Sequence, residues 1–331
     1  MKNLSVVWKE LEDKIKDGRT FGIIRKDRYS KLGFSVGMDL SDKTKLVMLA
    51  INDPALIQND QLPKWEGTKI EKRKITDEKY ALVVKLLNED AVDIFNSLIN
   101  DIHNRIKGSK DKDEALTLFT DTLFMWYEFF KKFGVKILSQ ESQRGIFGEL
   151  YFIKNHLLPV IDPISTLNYW YGHEGSSQDF SFPNGNVEVK TTIRKEHKKV
   201  MISSEKQLDN TGLPNLYLYC ITLNLDPNNG ESLSDIVTTL REYLIKFPNA
   251  VNIFNTYLMN TGYLDEHAEY YNKYKYIFKK EYLFKVAEGF PRIIDPPDGV
   301  GSLKYSLVLS ACLNNATEIS EAIRSLTYNV N

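Results

Sequence analysis

A chain of 331 residues, 42% apolar and 26% charged, has enough hydrophobic material to bury a core, in one large domain or two. Its net charge of −1 excludes a generally basic nucleic-acid coat, so binding to a polyanion needs a local patch. Two cysteines and five histidines argue against structural zinc, no uninterrupted apolar run is long enough to cross a bilayer, and the acid-containing start "MKNLSVVWKELEDKIKDG" is not a signal peptide, so the cytoplasm is the expected compartment.

The opening segment reads as a short helix followed by strands. "RTFGIIRKD" and "TKLVMLAIN" are apolar runs bounded by turn residues, while "YALVVKLL" from Tyr80 fits strand or helix. Asn88 is a candidate cap before Val92, Phe95, Ile99, Ile102 and Ile106, whose spacing is helical. "KGSKDKDE" reads as a solvated loop, and Leu116, Phe119, Leu123, Tyr127 and Phe130 mark a second helix. Residues 1–137 are thus expected to form an α+β region that shows no chemistry of its own.

The character changes over residues 138–331. In "LSQESQRGIFGELYFIKNHLLP", Ile146, Leu150, Ile153 and Leu157 form one helical stripe that Pro159 ends. A hairpin, the strand "KVMISS", a short helix "SEKQL" and the buried strand "NLYLYCITLNL" follow, the order of a compact α/β sheet unit. Beyond it lie two helices, "SLSDIVTTLREYLIKF" and "AVNIFNTYLMNTG", and two strands, "KYIFKKEYLFKV" and "LKYSLVLSACL".

The hairpin "DFSFPNGNVEVKTT" carries the chemistry. Asn184-Gly185 is a strong type I′ signal, because both central residues of that turn need positive φ. Folding about that pair sets Phe182 against Val187 and Phe180 against Val189. Alternation then puts Phe180, Phe182, Val187 and Val189 on one face and Asp179, Ser181, Glu188 and Lys190 on the other. Asp179 and Glu188 become diagonal neighbours with Lys190 beside both. Two converging carboxylates repel each other, and a divalent cation such as Mg²⁺ resolves the repulsion where phosphate is a further ligand. A nearby lysine orients a water or offsets developing charge, so the set suits phosphodiester hydrolysis. The bland alternative is a solvated strand face. Acid-x-Lys recurs at Glu12–Lys14, Asp77–Lys79 and Glu196–Lys198, where a surface reading is preferred, and the tripeptide alone is weak.

These residues resemble the PD-(D/E)XK nuclease superfamily, in which an aspartate on one hairpin strand and Glu-x-Lys on the next bind the catalytic metal. Asp179 and Glu188-Val189-Lys190 match, although "SQDF" stands where the family name has "PD". Glu149, on the helix "RGIFGELYF" with Gly145 and Gly148, fits the extra acid many members carry. More narrowly, the chain is similar to a bacterial family of PD-(D/E)XK proteins, with the landmarks "RGIFGELYFI", Trp170 before "QDF", "VEVKTT", "ISSEKQL", "GYLDEHAEYY" and "GFPRI" in order over most of the chain. The resemblance implies a restriction-endonuclease-like α/β core with a mixed sheet, flanked by an N-terminal α+β region and a C-terminal α/β extension. It implies an Mg²⁺-dependent endonuclease, with Mn²⁺ as a substitute and DNA as partner, in a restriction or anti-phage setting. Asp179, Glu188 and Glu149 are its metal ligands, with Lys190 and Gln207 completing the site. Other defence-system proteins and a homodimeric state are further candidates, and no membrane is expected. A non-cutting DNA-binding or scaffolding subunit stays open as the alternative, as does an RNA substrate.

Gln207 faces the site in similar nucleases, against a surface glutamine as the plain reading. Lys190, Arg194, Lys195, Lys198 and Lys199, against the single acid Glu196, form a candidate phosphate-contacting rim or a solvated loop. Trp170 reads as a packing anchor, His173 as a loop histidine, and Ser203 and Ser204 as helix caps. Neither G-x-x-x-x-G-K-[ST] nor G-x-G-x-x-G occurs, so the chain is not by itself an ATP-driven motor.

Overall fold

The computed structural model describes residues 4–15, 23–58, 62–76, 79–134, 137–172, 176–193, 199–296, 300 and 303–327, with backbone alone for 24–30, 76 and 248. It divides into two compact units, Met1–Lys136 and Ile137–Asn331.

The first unit is α+β. Helix α1 (Leu4–Ile15) precedes strands β1 (Ile23–Tyr29), β2 (Phe34–Asp39), β3 (Lys45–Ile51), β4 (Thr68–Thr76) and β5 (Lys79–Leu86). They form an antiparallel sheet in the order β1-β2-β3-β5-β4. "YALVVKLL", ambiguous in sequence, is the strand β5, and its run of buried apolar residues fits a strand in the sheet interior. Helices α2 (Val92–Ile106) and α3 (Lys112–Phe133) follow. Asn88 caps a single 3₁₀ turn ahead of α2, its side chain accepting from the Asp90 N–H. Asp111 caps α3 by accepting from the N–H groups of Asp113 and Glu114, so the end of "KGSKDKDE" is helix rather than loop.

The second unit holds the α/β core. Helix α4 (Gln140–Phe152) runs into a π-helical turn, Ile153–Leu157, and α5 (Pro163–Asn168) follows. Strands β6 (Phe180–Phe182), β7 (Gly185–Thr192), β8 (Lys199–Ile202), β9 (Leu216–Leu225) and β10 (Glu231–Ser232) come next. Helices α6 (Leu233–Leu244), α7 (Pro248–Asn260) and α8 (Ala268–Tyr271) lead to β11 (Lys275–Lys285), β12 (Tyr305–Val308), β13 (Ala316–Thr317) and α9 (Ile319–Thr327). The sheet order is β10-β11-β9-β7-β6, with β13 also on β11. β7 and β9 pair in parallel and their other partners are antiparallel, so the sheet is mixed, as in a restriction-endonuclease-like core.

The near-continuous apolar run of β9 follows from burial on both faces. Tyr217, Tyr219, Ile221 and Leu223 join the large core with Ile146, Leu150, Val187 and Val189. Leu216, Leu218 and Cys220 join a second core with Val200, Ile202 and Leu208.

Four local expectations are corrected. The hairpin register is Phe180↔Val187, Ser181↔Asn186 and Phe182↔Gly185, two residues from the sequence reading. Pro183-Asn184 forms the turn, because proline's fixed φ and missing N–H suit its first central position. Gly185 opens β7 at φ +140°, where a Cβ would stand 2.1 Å from the Asn215 carbonyl oxygen. "KVMISS" does not join the main sheet: β8 pairs antiparallel with β12, its Val200 and Ile202 buried and its Met201 exposed. "SEKQL" is one 3₁₀ turn, Glu205–Leu208, capped by Ser204. "LSACL" leaves the strand for a 3₁₀ segment, Leu309–Asn315, that buries Leu309 and Cys312.

Candidate active site

A two-residue slip preserves side-chain parity, so the division of the hairpin into faces survives the change of register. Phe180, Phe182, Val187 and Val189 all lie in the large core. In the observed register Asp179, one residue before β6, falls directly across from Glu188 rather than diagonal to it. The Asp179 carboxylate accepts through Oδ2 from the Val189 backbone N–H at 2.7 Å. Glu188 is 1% exposed. Its Oε1 takes the Lys190 ammonium at 2.6 Å, as two residues on one side of a strand allow. Its Oε2 is buried with no hydrogen-bond partner.

Glu149 arrives from α4, which approaches β7 closely. A Cβ on Gly148 would stand 2.0 Å from Thr191 Oγ1, so any larger residue there must displace Thr191. The Trp170 indole N–H donates to Glu149 Oε2 at 2.6 Å, and the ring is fully buried. Gly172 lies against both carboxylates: its Cβ position is 3.0 Å from Asp179 Oδ1 and 3.1 Å from Glu149 Oε2. Gln207 accepts through Oε1 from the Ser203 N–H at 2.8 Å. All five sequence-selected residues, Glu149, Asp179, Glu188, Lys190 and Gln207, line one cleft of about 470 Å³.

The electrostatics at the base of the cleft follow from three acids, Glu149, Asp179 and Glu188, gathered around Lys190. Burial, then the Asp179 charge, pushes Glu149 up to about 8, against the Trp170 hydrogen bond and Lys190. Burial raises Asp179 although Lys190 and the Val189 N–H oppose it. Burial and Asp179 push Glu188 well above the carboxylate range, with Lys190 opposing. Burial works against the charge of Lys190, but Glu188 and Asp179 outweigh it, and the amine titrates above its ordinary value. Around these three acids positive charge is therefore short.

That shortage and the orphaned Glu188 Oε2 fit a hard divalent cation, since the available donors are carboxylate oxygens. Among the described residues no three His, Cys, Asp or Glu side chains gather into one ligand shell. The arrangement suits an ion that keeps water and substrate oxygens among its ligands, as Mg²⁺ does. His173, Arg194, Lys195 and Lys198 lie outside the described residues, and Lys199 lines the cleft. Sequence reading took Trp170 as a packing anchor only. Its indole N–H and the glycine at 172 also set the two acids, and the one available signal was a tryptophan shortly before "QDF".

Among the described residues no helix is long and apolar enough to cross a membrane. The family model described as "Putative PD-(D/E)XK family member, (DUF4420)" matches residues 4–310. No curated protein and no solved structure matches the chain.

Proposed function

We propose that this chain, which belongs to that PD-(D/E)XK family, is a metal-dependent endonuclease hydrolysing phosphodiester bonds of DNA. The observation that carries the reading is the cleft in which Asp179, Glu188, Lys190 and Glu149 converge, with one Glu188 oxygen buried and unpartnered. Asp179 and Glu188 hold Mg²⁺ through carboxylate oxygens, with Mn²⁺ as a substitute, and Glu149 adds negative charge from the helix side. Bound there, the ion supplies Lewis-acid polarisation of the phosphoryl oxygen and a more acidic water. Lys190, held by Glu188 at 2.6 Å, orients the attacking water and offsets charge that develops on the phosphoryl group. The Val189 N–H fixes the Asp179 carboxylate, leaving Oδ1 for ligation. The Trp170 indole N–H holds one oxygen of Glu149. Gln207, its Oε1 held by the Ser203 N–H, lines the same space. A restriction or anti-phage setting completes the proposal and rests on family resemblance alone.

The test is incubation of the purified chain with plasmid, linear duplex, single-stranded DNA and RNA, with and without Mg²⁺ or Mn²⁺. Cleavage of DNA in the presence of metal supports the reading. Metal-dependent cleavage of RNA alone would move the substrate, and no cleavage of any nucleic acid would favour a non-cutting subunit.

A further inference from the structure

The cleft face of α4 carries two features that the proposed chemistry does not use. Gly145 lies within the helix and lines the cleft. Glycine weakens a helix interior and is normally kept for a close approach or a positive φ. Gly148, one turn on, has such a reason in Thr191. Gly145 has none: a Cβ there would meet nothing within 4 Å. The space over it belongs to the cleft. Beside it, Arg144 is half-buried, lines the same cleft, and pairs with no described carboxylate within salt-bridge distance. An arginine beside several acids and bonded to none of them is placed for an anion from outside.

The charge of the site points the same way. Glu141, Glu149, Asp179 and Glu188 repel a polyanion, and Lys190 is engaged by Glu188. A DNA strand entering the cleft therefore needs a cation clear of the acid cluster. Arginine suits phosphate because its planar fork donates two hydrogen bonds at once. Lys199 and the hydroxyl-bearing Ser203 and Ser306 line the cleft as well.

We infer that Arg144 and Gly145 form a subsite for a DNA backbone phosphate flanking the bond that is cut, Arg144 binding its oxygens and Gly145 leaving room for the strand to lie against α4. The inference rests on the nuclease reading and concerns substrate positioning. The experiment uses the full chain carrying Lys190→Ala, so that DNA is bound and not consumed. Affinity for a fluorescent duplex oligonucleotide is measured by anisotropy in Mg²⁺ across a range of salt. Adding Arg144→Ala is expected to weaken binding roughly tenfold and to lower the salt slope by about 1, the loss of one phosphate contact. Arg144→Lys should recover part of the affinity. Gly145→Leu should weaken binding, while Gly145→Ala should raise the melting temperature, as open space permits. Unchanged affinity and salt slope in Arg144→Ala, with wild type cutting DNA, would overturn the subsite and leave the nuclease reading standing. A wild-type chain that neither binds nor cuts DNA would remove both.

Discussion

Glu149→Gln isolates the electrostatic strain of the cleft. Burial and the Asp179 charge push this glutamate from 4.5 to about 8. Between those values the folded chain keeps a proton that the unfolded chain releases. A raised folded value contributes stability that is complete below the unfolded value and lost as pH rises through the folded one. From 4.5 to about 8, at about 1.4 kcal/mol per pH unit, the swing is on the order of 5 kcal/mol as an upper bound. Glutamine is neutral throughout, and its Oε1 still accepts the Trp170 N–H that meets Glu149 at 2.6 Å. In metal-free buffer with chelator, urea denaturation of wild type and variant should agree best near pH 5. The variant should become the more stable of the two, by several kcal/mol, near pH 9. Asp179 and Glu188, also raised, leave a residual slope in both proteins. Hydrogen exchange of the β7 amides localises the effect. Parallel curves across the pH range would refute the reasoning, as would a variant less stable than wild type near pH 9.

Three further outcomes are expected. Mg²⁺ should raise the melting temperature more at pH 8.5 than at pH 6, because protons on the carboxylates compete with the ion, and equal shifts would count against carboxylate ligation. Trp170→Phe keeps an aromatic ring but removes the donor to Glu149, at a cost of about 1–3 kcal/mol for the unsatisfied oxygen. An unchanged urea midpoint would show that this hydrogen bond carries no weight. Gly148→Ala sets a Cβ 2.0 Å from Thr191 Oγ1, so the chain should lose about 1–3 kcal/mol despite alanine's better helix propensity. Thr191→Ala in the same chain should restore most of the loss, and a single variant that melts higher than wild type would contradict the close helix–strand approach.

The faces of the hairpin were legible because a strand alternates with period two, and a two-residue slip leaves that pattern untouched. The register was not, because Pro183-Asn184 and Asn184-Gly185 compete for the turn. What decides between them is the Asn215 carbonyl pressed against Gly185, a contact from outside the hairpin. Strand β8 was legible as a strand but not by partner. Its four residues pair with Tyr305–Val308, far along the chain, and no local signal marks that edge. Glu149 could be suspected from an acid among apolar neighbours beside two glycines. Only the packed fold separates the glycine that permits close approach, Gly148, from the one that faces open space, Gly145. A buried tryptophan is legible as packing, whereas the direction of its N–H is set by the tertiary fold.

The most direct test pairs Mg²⁺ titration calorimetry with plasmid cleavage for wild type, Asp179→Ala, Glu188→Ala and Lys190→Ala. Lysine is no ligand, and removing its charge leaves the acids more in need of a cation. The expected result is that Asp179→Ala and Glu188→Ala lose both the binding isotherm and cleavage. Lys190→Ala should bind Mg²⁺ at least as tightly as wild type yet cut slower by orders of magnitude. Cleavage that persists in Asp179→Ala and Glu188→Ala, or wild type that binds no Mg²⁺ and cuts no DNA, would contradict the assignment of this cleft as a metal-dependent nuclease site.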